Sequence, residues 1–215
     1  MEAKKLLEIL SVAEQLKCRT RHCDTSSGRR ESVAEHSWRV ALMAMLMEDE
    51  FPDLDIDKVI RMCLIHDLGE AFTGDIPAFL KKSEDGEKEE AILERWVGDF
   101  PAPYNAEWLA LLQEMDALET GEAKLYKALD NLEAVIQHDE SDIASWLPLE
   151  YELQLTYGRD KVAFSPYLQG LKAEIDDWTR RKIAESQREN CTAETPPAAQ
   201  GRRGRFGGYR VFLPG

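Results

Sequence analysis

The chain has four histidines, His22, His36, His66 and His138, and two of them fall where an ordinary packing role fits badly. His36 begins a stripe that continues at i+4, i+7 and i+11 with Val40, Met43 and Met47, a spacing that points inward on a helix. In the next segment the apolar positions are Ile56, Val59, Ile60, Cys63 and Leu64. The same phase carried forward reaches Asp67, with His66 about 100° to one side. An unpaired carboxylate in a core costs several kcal/mol, and a metal ion or a cationic partner is the usual remedy. Periodicity alone leaves two readings open, a buried His–Asp hydrogen-bonded pair and a pair of metal ligands.

The surrounding residues add weight to the second. Glu70 lies at i+3 from Asp67 and i+4 from His66, on the same helical face one turn later. Asp75 follows within Thr73-Gly74-Asp75-Ile76-Pro77, a turn by composition. Packing alone does not call for three carboxylates and an imidazole in the stretch from His66 to Asp75, whereas a metal with an adjacent proton carrier does.

These segments resemble the HD-domain phosphohydrolases, and among them the 5′-deoxynucleotidases. The resemblance rests on Ser32-Val33-Ala34-Glu35-His36-Ser37, on His66-Asp67 with Glu70, Gly74, Asp75 and Pro77 after it, and on Lys127-Ala128-Leu129-Asp130-Asn131-Leu132-Glu133. It spans roughly residues 15–185. It implies metal ligation by His36, His66, Asp67 and Asp130, and a catalytic role for Glu70. Asp130 enters only through the family's Lys-x-x-Asp pattern. By composition it flanks the stripe of Leu125, Ala128, Leu129, Leu132, Val135 and Ile136 and reads as solvated, with Asp116 as a rival ligand. Two imidazoles and two carboxylates suit Zn²⁺, Co²⁺, Mn²⁺, Fe²⁺ or Ni²⁺ better than Ca²⁺. Only His22 and His138 remain beyond the two ligand histidines, so a single divalent transition metal ion is expected.

The implied chemistry is hydrolysis of a phosphate ester. Glu70 would orient or deprotonate water, or protonate the leaving oxygen. Asp75 would contact the substrate's sugar; the plain alternative is a turn aspartate capping its own backbone. Arg19, Arg21, Arg29 and Arg30 supply local positive charge ahead of His36, and the resemblance assigns substrate binding to Arg21, whose guanidinium can clamp phosphate bidentately. His22 departs from the family, which carries tryptophan there; it is also assigned to substrate, with a simple loop histidine as the alternative.

The elements that position these residues read as helices at about 2–18, 32–49, 56–69, 87–98, 105–119, 121–138, 148–157 and 166–186, with strand signals almost absent. Ser32 and Glu35 form a capping box, and Asp53, Asp55 and Asp57 suit the start of the third helix. The five tryptophans read as core or subunit-interface residues, Cys63 as a core thiol, and Glu84–Glu90 as a solvated loop and helix start. The 215 residues carry 43% hydrophobic and 32% charged side chains and a net charge of −14. That fits an all-α HD-type bundle over residues 1–186, followed over 187–215 by a basic, glycine-rich segment expected to be disordered. So acidic a chain disfavours binding to nucleic acid or anionic lipid, and no apolar run is long enough to span a membrane. The cysteine spacing and the amphipathic N-terminal helix point to a cytoplasmic setting. Walker, G-x-G-x-x-G and G-x-S-x-G motifs are absent. The expected activity is release of phosphate from nucleoside 5′-monophosphates, deoxyribonucleotides first, by a homodimer, an assembly the resemblance implies. The alternatives are a hydrolase of another phosphorylated metabolite or phosphodiester, and a metal-holding regulatory module without turnover.

Overall fold

A computed structural model describes residues 1–193. Helix α1 (Ala3–Ala13) runs into a 3₁₀ turn at Glu14–Lys17, and a short antiparallel hairpin follows, β1 (Thr20–Asp24) and β2 (Arg30–Ser32). This hairpin is the main departure from the helical expectation, and Arg21 and His22 stand on its first strand instead of in a loop. Thr20 pairs with Ser32 and Asp24 with Arg30, so three residues of β1 face one of β2. The resulting bulge breaks the alternation of side chains that marks a regular strand, which is why no period-2 pattern was visible.

Helix α2 (Val33–Met45) begins at the expected capping box: Ser32 Oγ accepts from the Glu35 amide, and the Glu35 carboxylate accepts from the Ser32 amide. Helix α3 (Ile56–Ile65) is capped by Asp55, whose side chain accepts from the Lys58 amide. It stops four residues before the expected end at residue 69. A turn and the short helix α4 (Glu70–Thr73) take over, and Gly74 at φ 78° then reverses the chain to deliver Asp75. Gly69 is required for a different reason, since a Cβ there would lie 2.6 Å from Glu89 Cγ.

Helices α5 (Ser83–Gly98), α6 (Tyr104–Ala117), α7 (Gly121–Glu140), α8 (Glu150–Thr156) and α9 (Pro166–Ala193) complete the bundle. Pro166 and the Ser165 side chain, which accepts from the Leu168 amide, start α9 in the usual way. This helix passes the expected boundary at residue 186, so residues 187–193 are helical; residues 194–215 of the expected disordered segment lie outside the described residues. Among the described residues no helix is long and apolar enough to cross a membrane.

The core lies where α2, α3 and α7 meet. Val33, Val40 and Ala44, then Val59, Met62 and Cys63, then Leu125, Leu129 and Leu132 are fully buried there, Cys63 as expected. Helix α7 is covered on nearly its whole circumference: Ala128 through Glu133 are all buried. The tryptophans divide. Trp96 and Trp108 pack on either side of Phe100, whereas Trp38 is 61% exposed, and Trp146 is buried outside any α-helix with its indole N–H donating to the His138 carbonyl.

Candidate metal centre

His36 projects from the first turn of α2 and is wholly buried; His66 caps the C-terminus of α3; Asp67 opens the turn that follows; Asp130 projects from the middle of α7. Their ligand atoms converge. The two imidazole Nε2 atoms are 3.3 Å apart. Asp130 Oδ1 lies 3.1 Å from His36 Nε2 and 3.6 Å from His66 Nε2. Asp67 Oδ2 lies 3.1 Å from His66 Nε2 and 3.7 Å from His36 Nε2. Around an ion with ligands at about 2.1 Å, neighbouring donors stand roughly 3.0–3.4 Å apart; His36, His66 and Asp67 come close enough together to share one cation, with Asp130 flanking the two imidazoles.

The hydrogen-bond pattern accommodates one too. His66 Nδ1 donates to the Cys63 carbonyl at 2.8 Å, and His36 Nδ1 donates to the Glu133 carboxylate. With the hydrogen on Nδ1 in each ring, both Nε2 lone pairs face one another and two carboxylate oxygens. Asp67 Oδ2 is buried with no hydrogen-bond donor. Lone pairs gathered in this way repel unless a positive charge sits among them. With no ion bound, that charge can fall on His66 itself: burial works against it, but Asp67 and Asp130 more than offset burial and raise its pKa to about 10. Burial would likewise raise Asp130; Lys127 and the two imidazoles instead hold it well below the usual carboxylate range. The Lys127 Nζ–Asp130 Oδ2 bond is 2.8 Å. Asp116, the rival ligand, is exposed on α6.

A second buried grouping, Glu31 with His36 and Glu133, is already neutralised by arginines. Arg39 Nε donates to Glu133 Oε1 at 2.6 Å, and Arg21 Nε stands 3.2 Å from Glu31 Oε2. Glu133 was not singled out in the sequence. It lies four residues after Leu129 and three before Ile136, so the test that flagged Asp67 on the α3 stripe would have flagged it as well.

The model of the HD domain matches residues 13–172. The chain belongs to the HD-domain family. It is 38% identical over 138 residues to a 5′-deoxynucleotidase HDDC2 of Xenopus laevis, covering 62% of this chain and 68% of the relative. To the Bos taurus protein of that name it is 31% identical over 195 residues, 88% of this chain and 93% of the other. A crystal structure of a predicted metal-dependent phosphohydrolase from Magnetospirillum magnetotacticum MS-1 superposes with a TM-score of 0.69 at 30% identity, over 82% of this chain and 92% of that one.

Beside the candidate metal cluster this HD domain opens a cleft of about 80 Å³, lined among others by Arg21, His22, Asp75, Phe79, His138 and Glu150. Arg21 reaches inward, with Nη1 3.6 Å from Asp67 Oδ2. Glu70 is buried at the start of α4, and its Oε2 has no partner. Burial, then the charges of Asp67, Asp75 and Glu89, push the Glu70 carboxyl up to about 9. Burial also raises the Asp75 carboxyl, partly countered by Arg21. Asp75 makes no hydrogen bond to its own turn, so the capping alternative has no support. His22 is no loop residue: its ring meets Phe79 edge-on at 5.3 Å. The eight residues given a ligand, catalytic or substrate role in the sequence thus fall at the candidate metal cluster, on the lining of the cleft, or, as Glu70, shortly after His66 and Asp67.

Proposed function

We propose that the chain is a divalent-metal-dependent phosphomonoesterase that releases phosphate from nucleoside 5′-monophosphates, deoxyribonucleotides among them. The observation that carries this reading is the convergence of four side chains from α2, the α3–α4 turn and α7 beside a cleft with a half-buried arginine. His36, His66, Asp67 and Asp130 would hold one ion, zinc, cobalt, manganese, iron or nickel. That ion supplies charge stabilisation at a phosphate oxygen and a lowered pKa for water.

The chain's own residues do the rest. Arg21, the cation on the cleft wall nearest the ligands, binds and orients the phosphate. Glu70 would donate a proton to the departing 5′-oxygen, since burial and the neighbouring carboxylates favour its protonated form. Asp75 accepts from a sugar hydroxyl, and His22 lines the wall on which the rest of the substrate rests. The polar wall at His22 also supports a second reading, hydrolysis of a different phosphorylated metabolite. We place the enzyme in the cytoplasm as a homodimer; the exposed stripe of Trp38, Leu42, Met45 and Leu46 on α2 supplies apolar surface for a second copy. Light scattering tests that assembly, and a monomer mass would refute it.

Elemental analysis of the purified protein, with phosphate release measured over nucleoside and sugar phosphates, tests the whole reading. One transition metal per chain and turnover of nucleoside monophosphates are expected, and His66→Ala should lose the metal. Stoichiometric metal in that variant would overturn the ligand set. An inert wild type loaded with each of the five metals would overturn the activity.

A further inference from the structure

The wall of the cleft formed by His22, His138 and Glu150 is an arrangement the proposed hydrolysis does not itself require. Glu150 is buried at 1% exposure at the start of α8. Its Oε2 accepts from the Leu147 amide at 2.6 Å, and its Oε1 lies 3.1 Å from His138 Nε2 and 3.3 Å from His22 Nε2. His138 is anchored in turn, with Nδ1 donating to the Ala134 carbonyl at 2.9 Å. His22 therefore looks onto a fixed carboxylate oxygen. The pair is not aligned as a full hydrogen bond, and His22 Nε2 is otherwise buried without a partner. An ionised carboxylate only accepts, so it favours the tautomer with hydrogen on Nε2 and leaves the Nδ1 lone pair of His22 free. Among the described residues no protein group donates to Nδ1, and the ring lines the cleft. Phe79, edge-on to the same ring, limits how far it can swing.

We propose that His22 is a hydrogen-bond acceptor for an O–H or N–H donor on the substrate's alcohol part, held in that role by the Glu150–His138 pair. The specificity that follows is for phosphate esters of donor-bearing alcohols, ribonucleosides as well as deoxyribonucleosides, over esters whose alcohol has no donor. This rests on the phosphomonoesterase reading above. It makes His22 a specificity residue and Glu150 a positioning residue.

The test uses the metal-loaded full chain and compares kcat/KM for CMP, dCMP and 4-nitrophenyl phosphate, whose alcohol carries no donor. In His22→Phe, which keeps a ring and removes the acceptor, the nucleotide-to-nitrophenyl ratio of kcat/KM should fall about 3- to 10-fold, mainly through KM, the loss expected for one neutral hydrogen bond. His22→Asn retains an acceptor and should recover part of the ratio, and Glu150→Gln should lower it without altering metal content. An active enzyme whose ratio does not move in His22→Phe overturns the inference. A loaded wild type that releases phosphate from none of the three overturns the phosphomonoesterase reading instead.

Discussion

Replacing Glu133 with glutamine should weaken metal binding while leaving all four proposed ligands in place. Glu133 is wholly buried and accepts from two donors at once, His36 Nδ1–H and Arg39 Nε–H. Glutamine has one acceptor oxygen for the two donors, so one loses its partner or faces an amide N–H. The bond to His36 also ceases to be charge-assisted. Such a bond contributes about 1.5–3 kcal/mol against about 0.5–1.5 for a neutral one, a difference near 1–2 kcal/mol. Since 1.4 kcal/mol is tenfold, the dissociation constant should rise roughly 5- to 30-fold, overlapping the roughly 10- to 100-fold typical of groups that orient a ligand histidine. Arg39 keeps Gln137 at 2.7 Å and Glu140 at 2.5 Å, so α2 should stay docked on α7. Competition against a chelator of known affinity measures the change, with circular dichroism to check the helices. An affinity within twofold of the wild type in a folded variant would refute the claim that Glu133 sets the tautomer and basicity of His36.

Glu70→Gln should retain metal and lose roughly 10²- to 10⁴-fold in kcat, the usual weight of one positioned proton carrier; turnover at the wild-type rate would show that the proton moves elsewhere. Asp139 gives a stability prediction. Burial raises its folded pKa from 3.8 to about 6, with the Thr179 hydroxyl bond at 2.8 Å a partial offset. Between those pH values the folded state binds more protons than the unfolded one, so stability falls as pH rises from about 4 to 6. Asp139→Asn should remove that slope, and identical melting profiles against pH in variant and wild type would contradict it.

Much of this was legible because the informative residues violate a periodic pattern. Asp67 stood out by continuing an apolar stripe, and His36 by sitting beside a strong capping box that fixed the phase of α2. Asp130 could not be read in the same way. A stripe argument assumes a helix with one dry side, and α7 is dry nearly all round, so a flanking position there is still interior. The hairpin escaped for a geometric reason, since its bulge erases the alternation by which strands are recognised. Glu150 approaches His138 and His22 only through the loop after α7, a convergence with no local signature. The helix break after Ile65 was also hidden, yet the turn that replaces the last helical residues keeps His66 in helical conformation, so the angular prediction for Asp67 survived.

The surplus residues on β1 have a consequence for how such a catalyst can diversify. In a regular strand, neighbours 21 and 22 would face opposite sides, and only one could look into the reaction chamber. Here both do, so the residue proposed to grip the common phosphoryl group and the residue proposed to inspect the variable remainder are adjacent in the chain yet free to change independently. Drift at position 22 can redirect appetite toward new esters while the chemistry-bearing neighbour stays anchored to Glu31. Loss of the two additional residues would tie the pair together again and sacrifice one task to the other.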